Sequence, residues 1–165
     1  MIFTDDTEET LRAAVWLVNS AEDPDTLTSL DDETTFIGRF RYTGRLDRDD
    51  AELAGLRSIR PQLRRMLLAP RDDMAAAVNE ALDGVSLRPR LTRHGTVDWH
   101  LHAISDDHPL PERVIVETAM ALIDVIRAEE GSRISVCADD TCEALALDLS
   151  RNRSKELPCH ISRAA

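Results

Sequence analysis

Apolar residues recur at three- and four-residue steps through residues 4–84 and again through 109–130, which predicts helices. Capping residues, prolines and glycines divide these two parts into five helices. The predicted helices cover residues 4 or 7 to 19, 29 to about 44, 47–69, 72–82, and 109 or 111 to 130. Pro61 is expected to kink or split the third helix, because proline removes one helical hydrogen bond and its ring clashes with the preceding turn.

The hydrophobic period changes to alternation in residues 85–93 and 96–104, which predicts two strands joined as a hairpin at residues 94–95. Two shorter runs, 133–136 and 144–149, are also typical of strands, and they could pair with the hairpin or with each other. The chain is therefore predicted to be an α+β protein. It would have a mainly α-helical body and a small antiparallel β element, made of the hairpin and the short late strands.

Alternation along the second hairpin strand gives its two faces different chemistry. Trp99 and Leu101 are expected to point toward the core, with the histidines of the strand on the opposite face. Polar residues of that face and of the neighbouring strand are candidates for a small ligand pocket: His100, His102, Arg88 and Arg90. Two histidines at this spacing can chelate a metal or, when protonated, bind an anion. The alternative is an ordinary solvated strand face.

The charge balance limits the partners of the protein. The 165 residues include 31 acids and 20 bases, for a formal net charge of -11. A charge this negative opposes contact with a phosphate backbone unless a local basic patch outweighs it. The longest apolar stretch is interrupted by acids, and the N-terminus lacks the features of a signal peptide, so we expect a cytoplasmic protein with no membrane partner.

Two groups of basic residues could form such a patch. The tail carries Arg151, Arg153 and Lys155, which could contact a few phosphates of DNA. The third predicted helix carries a second group: Arg57, Arg60 and Arg64. We expect this second group to be occupied by nearby acids of the same region, Asp47, Asp49, Asp50 and Glu52, rather than by DNA.

The three cysteines lie late in the chain and are candidate metal ligands. Cys137 and Cys142 would flank a short loop after a strand, a reasonable arrangement for zinc. Cys159 could return as a third ligand, and His160 or a side chain of a partner could be the fourth. The alternative is a set of reduced thiols without a metal. The sequence contains no glycine-rich phosphate loop, nucleophile elbow or paired-carboxylate motif, so we do not expect an enzyme.

The late motifs resemble those of the CGNR zinc-finger family, whose members carry an N-terminal ABATE domain. The most specific part is Ser-Val-Cys-Ala-Asp-Asp-Thr-Cys at 135–142, followed by Leu-Asp-Leu-Ser-Arg-Asn-Arg-Ser-Lys at 147–155. The resemblance extends to Trp-His-Leu-His at 99–102, to Glu-Leu-Ala-Gly-Leu-Arg-Ser-Ile-Arg at 52–60, and to Leu-Val-Asn-Ser at 17–20. It implies an ABATE-like body over residues 1–132 and a zinc-finger tail over 133–165.

The resemblance also implies a ligand set, which this chain matches only in part. The first two zinc ligands of the family correspond to Cys137 and Cys142, and the third corresponds loosely to Cys159. No fourth cysteine follows, and neither the Cys-Gly-Asn-Arg block nor the basic helix of the family is present. The finger is thus expected to be degenerate or truncated.

Two functions remain open at this point. The resemblance implies a stress-related transcription regulator, with a body that senses a signal or forms a homodimer and a zinc-ribbon tail that contacts DNA. The alternative is a module that binds a small ligand or a protein and has lost autonomous zinc and DNA binding. The resemblance favours the regulator, whereas the net charge, the missing fourth ligand and the missing basic helix favour the alternative.

Overall fold

The computed structural model describes residues 3–92 and 100–151, and over these residues five α-helices and two antiparallel strand pairs are present. In chain order they are α1 (Asp5–Asn19), α2 (Leu30–Arg39), α3 (Asp50–Leu68), α4 (Arg71–Asp83), β1 (Arg90–Thr92), β2 (His100–His102), α5 (Leu110–Arg127), β3 (Ile134–Val136) and β4 (Leu145–Leu147). The predicted α+β class, mainly helical with a small β element, is confirmed. None of the helices described is long and apolar enough to cross a membrane.

Helix α5 is the central element of the helical body and packs against α1, α3 and α4. Its sequence explains this position, because apolar residues occupy most of its circumference and leave only a narrow polar stripe. Leu110 and Leu122 are completely buried, as are Leu11 and Leu17 on α1. The hydrophobic pattern therefore predicted both the helix and its place in the core.

Helix α2 is shorter than the sequence pattern suggests. Ser29 and Asp32 form a capping box at its start, but the helix ends at Arg39 instead of continuing to Gly44. Arg41 and Gly44 have φ values of 53° and 77°, in the left-handed region that ends a helix. The turn brings the backbone beside Asp106, where a Cβ on Gly44 would lie only 2.8 Å from the Asp106 Cβ.

Helix α3 continues through Pro61 without being split. The proline is exposed, whereas residues on either side of it, Leu56, Ile59 and Leu63, are buried in the core. An internal proline costs about 3 kcal/mol of helix stability. Burial of the flanking apolar side chains offsets that loss and keeps the two halves in one helix.

Strands β1 and β2 confirm the predicted hairpin, although each has only three residues. The expected inward orientation of Leu101 is wrong: its side chain is 42% exposed, and Leu91 directly opposite is 69% exposed. The chain instead turns inward just after β2, where Ala103 and Ile104 pack against Val116 of α5. Trp99 and the turn at 94–95 lie outside the described residues.

Strands β3 and β4 pair with each other, which decides between the two pairings left open by the sequence. Ile134 and Leu145 belong to the same apolar core as the helices, and β4 contacts α1. The late strands are therefore packed onto the helical body.

Replacement of Leu122 by alanine should lower the free energy of unfolding by about 2–5 kcal/mol, because it leaves a cavity in the core. The matched control is Leu101→Ala, which removes the same atoms from an exposed site and should change stability by less than about 0.5 kcal/mol. Urea denaturation followed by circular dichroism measures both. Equal losses in the two variants would contradict this core assignment.

Candidate functional site

The loop between β3 and β4, residues 137–144, brings two of the predicted metal ligands together; we call it the cysteine loop. Cys137 continues the strand ladder, since its backbone N–H donates to the Ala144 carbonyl at 2.8 Å. Cys137 and Cys142 pack with Ala144 in one small apolar cluster, and they do not form a disulfide with each other. Both cysteines therefore lie on the same short loop.

Asp139 fixes the shape of the cysteine loop. Its carboxylate accepts the backbone N–H of Thr141 at 2.9 Å and the Thr141 hydroxyl at 2.7 Å. Its backbone carbonyl accepts the N–H of Cys142 at 2.9 Å. These bonds form a local turn, in which an aspartate side chain replaces backbone partners. Cys142 is thereby returned toward Cys137.

The donor set of the cysteine loop fits half of a tetrahedral zinc site. Zinc in structural sites takes four ligands, commonly thiolates and imidazoles, and the loop offers two thiols. No cluster of three or more histidine, cysteine or acidic side chains suitable for a metal occurs in residues 3–92 and 100–151. The other two predicted ligands, Cys159 and His160, lie outside these ranges. Two further donors would have to come from outside the described residues or from another chain.

Asn19 attaches the late strands to the helical body. Its side-chain amide donates to the Leu145 carbonyl at 2.9 Å, and its side-chain oxygen accepts the Leu145 N–H at 2.7 Å. Asn19 is only 5% exposed, so both bonds are shielded from water. Sequence reasoning did not assign this residue a role, although a polar side chain beside the apolar positions Leu17 and Val18 was a signal that it needs a buried partner.

Arg64 makes a second contact between the body and the cysteine loop. Its guanidinium on α3 donates to the carbonyl of Glu143 at 2.7 Å and lies 3.8 Å from the Glu22 carboxylate. Asn19 on α1 holds the strand that follows the cysteine loop, and Arg64 on α3 holds the loop itself. The position of the two thiols thus depends on the packing of α1 and α3.

Arg133 fixes the point at which the chain leaves β4. It is buried, and its guanidinium donates to the carbonyls of Asp148 and Ser150 at 3.0 and 2.9 Å and to Glu130 at 2.7 Å. The exposed Arg151 follows directly. The other predicted DNA contacts, Arg153 and Lys155, lie outside the described residues.

Three arginines of α3, Arg57, Arg60 and Arg64, are paired within the molecule, as expected, but with different acids from those predicted. Arg60 donates to both carboxylate oxygens of Asp25 at 2.8 and 3.2 Å, and Arg57 lies 3.5 Å from the same group. Burial by itself would raise the pKa of Asp25, but the hydrogen bonds and charges of these arginines hold it below its ordinary value. The expected partners have other roles; for example, Asp47 pairs with Arg45.

The structure describes only part of the predicted histidine pocket. Arg90 lies directly opposite His102 across the hairpin, and the His102 ring lies 3.4 Å from the Asp106 carboxylate. Arg88 is exposed and donates its backbone N–H to Ala103. The side chain of His100 is not among the described groups. Ligand binding by these four residues stays a prediction.

Comparison with known proteins gives one family. The family model named ABATE, described as "Putative stress-induced transcription regulator", matches residues 11–129. No curated protein matches the chain. The match includes Asn19 and Arg64 but ends before the cysteine loop that these two residues hold.

Replacement of Asn19 by alanine should lower the free energy of unfolding by about 1–3 kcal/mol, because it leaves the buried N–H and carbonyl of Leu145 without partners. It should also speed hydrogen exchange at the Leu145 amide. Asn79→Ala on the exposed side of α4 is the matched control and should change neither quantity. Unchanged exchange at Leu145 in the Asn19 variant would rule out the proposed attachment.

Proposed function

Because the chain belongs to the ABATE family, we propose that it is a transcription regulator whose helical body positions a degenerate zinc-binding tail for contact with DNA. The observation that carries this proposal is the attachment of β4 by Asn19 and of the adjoining cysteine loop by Arg64 to the helical body. A tail held in this way changes position when the body changes its packing. That coupling is what a regulator needs between a sensing or dimerising unit and its output.

Zinc would reinforce this arrangement. Cys137 and Cys142 would hold the ion, and the ion would supply a cross-link from the cysteine loop to donors elsewhere. The turn around Asp139 already places Cys142 near Cys137. Zinc binding would therefore need little rearrangement of these two side chains. In this proposal Asn19 and Arg64 are positioning residues.

DNA contact would come from the tail, because the three α3 arginines that could form a basic patch, Arg57, Arg60 and Arg64, are already engaged. Arg57 and Arg60 pair with Asp25, and Arg64 pairs with the body and the loop. Arg151 is exposed just after the point fixed by Arg133, and Arg153 and Lys155 follow it in the sequence. A few phosphate contacts there give affinity that falls steeply with salt and carries little sequence information.

The alternative function is a module that binds a small ligand or a protein and no longer binds DNA on its own. The net charge of -11 favours it, since the molecule as a whole repels phosphate. The internal pairing of the α3 arginines favours it as well, because it reduces the positive charge available to an anionic partner.

Elemental analysis of the purified, never-chelated protein tests the zinc part of the proposal. We expect close to one zinc per chain or per dimer, loss of the metal in Cys142→Ser, and retention in Ser135→Ala, an exposed change on β3. Thiol titration should find protected cysteines in the wild type. A metal-free protein whose three thiols all react freely would contradict the zinc part of the proposal and favour the alternative function.

Binding of a labelled DNA duplex over a salt series tests the nucleic-acid part. The wild type should bind at low salt, and replacement of Arg151, Arg153 and Lys155 by alanine should reduce the slope of log K against log salt by up to about 0.9 for each lost phosphate contact. A control with alanine at the exposed Arg39, Arg65 and Arg127 has the same net charge and should bind like the wild type. Equal weakening in both triple variants would indicate a general charge effect, and no binding at low salt would favour the alternative.

A further inference from the structure

Glu33 on α2 is an acidic residue buried in the interior of the protein. Its side chain is completely buried, and neither carboxylate oxygen has a hydrogen-bond donor among the residues that the structure describes. The charged groups that act on it are Glu52 and Asp49, which are negative, and Arg48, which is positive. An isolated buried carboxylate loses several kcal/mol of hydration, so the group is expected to hold a proton instead.

Glu52 beside it organises the start of α3. It is 5% exposed, and its two carboxylate oxygens accept the backbone N–H groups of Asp47 and Arg48 at 3.1 and 3.0 Å. Both amides belong to the connection between α2 and α3, residues 40–49, which we call the α2–α3 loop. An ionised Glu52 is well suited to this role because a carboxylate accepts hydrogen bonds more strongly than a neutral acid.

We propose that Glu33 and Glu52, which we call the carboxyl pair, share one proton and form a pH-sensitive switch that holds the α2–α3 loop closed. A protonated Glu33 can donate its O–H to the Glu52 carboxylate, which satisfies the buried acid and leaves Glu52 charged toward the loop amides. Loss of that proton to solvent places two carboxylates side by side at a buried site. The repulsion then favours withdrawal of α2 from the start of α3.

Glu33 is expected to lose its proton near neutral pH. Burial, followed by the charge and hydrogen bond of Glu52, raises the pKa of Glu33 from its ordinary 4.5 to about 7. A pKa raised in the folded state means that the native protein holds the proton over a range in which the unfolded chain has already lost it. The contribution of Glu33 to stability is thus fully present below about pH 4.5 and is lost as the pH rises through about 7.

The α2–α3 loop connects this switch to the region after the hairpin. The Arg45 N–H donates to the Asp106 carbonyl at 2.8 Å, and the buried Arg113 on α5 donates to the carbonyls of Thr43 and Arg45. Opening of the loop would therefore disturb the segment that carries Asp106, beside His102. A metal ion is not a competing occupant of the carboxyl pair, because no set of three suitable ligands lies there within the described part of the chain.

Two measurements on the wild-type protein test the proposal. Carbon-13 NMR of the glutamate carboxyl groups should show Glu33 titrating near neutral pH. Amide exchange at Asp47 and Arg48, corrected for intrinsic rates, should lose at least about tenfold in protection between pH 6 and pH 8. A Glu33 carboxyl that titrates below pH 5, or constant protection of the two amides, would overturn the proposal.

The variant Glu33→Gln keeps the shape and a donor but cannot lose a proton, so protection of the two amides should become independent of pH. Glu129→Gln is the control, since it makes the same change at an exposed position after α5. It should keep the wild-type response at Asp47 and Arg48. Loss of the response in the Glu129 variant, or its persistence in the Glu33 variant, would contradict the assignment to the carboxyl pair.

Discussion

The structure depends on hydrogen-bond partners for the backbone N–H and carbonyl groups of loops and short strands, where these segments meet the helical core. Buried N–H and carbonyl groups must find partners, and short strands and loops provide few of their own. In this protein buried polar side chains on helices supply many of them. Asn19 pairs with β4, Glu52 holds the α2–α3 loop from one side, and Arg113 holds it from the other. Each of these side chains joins one loop or strand to the helices.

This arrangement limits where the molecule can meet a charged partner. Arg113 and Arg133 donate most of their hydrogen bonds to carbonyl oxygens, and Arg57, Arg60 and Arg64 on α3 pair with acids and with the cysteine loop. The positive charge of these five side chains is therefore structural. Other arginines of the body are exposed, for example Arg39, Arg65 and Arg127. An anionic partner could contact the engaged arginines only by breaking the bonds that hold loops and strands to the helices.

The sequence predicted what depends on periodicity and missed what depends on distant partners. The five helices, the hairpin and the placement of two cysteines on one loop follow from spacing that is local to each element. The early end of α2 does not: left-handed backbone at Arg41 and Gly44 follows the helix, and Gly44 lies close to Asp106, a residue distant in sequence. The exposure of Leu101 was missed because alternation identifies two faces of a strand but does not say which face a helix covers. Asn19 acts on a residue 126 positions away, which no local pattern can identify.

The family match covers the helical body but does not reach the strand that pairs with one of its buried polar residues. The match ends at residue 129, whereas Asn19 within it is paired with Leu145 beyond it. A buried asparagine without that pair would leave an amide unsatisfied, at a cost of about 1–3 kcal/mol. The body therefore contains a polar site that requires a strand from downstream. Strands β3 and β4 thus complete polar contacts of the helical body, with β4 packed on α1 and the cysteine loop bonded to Arg64 of α3.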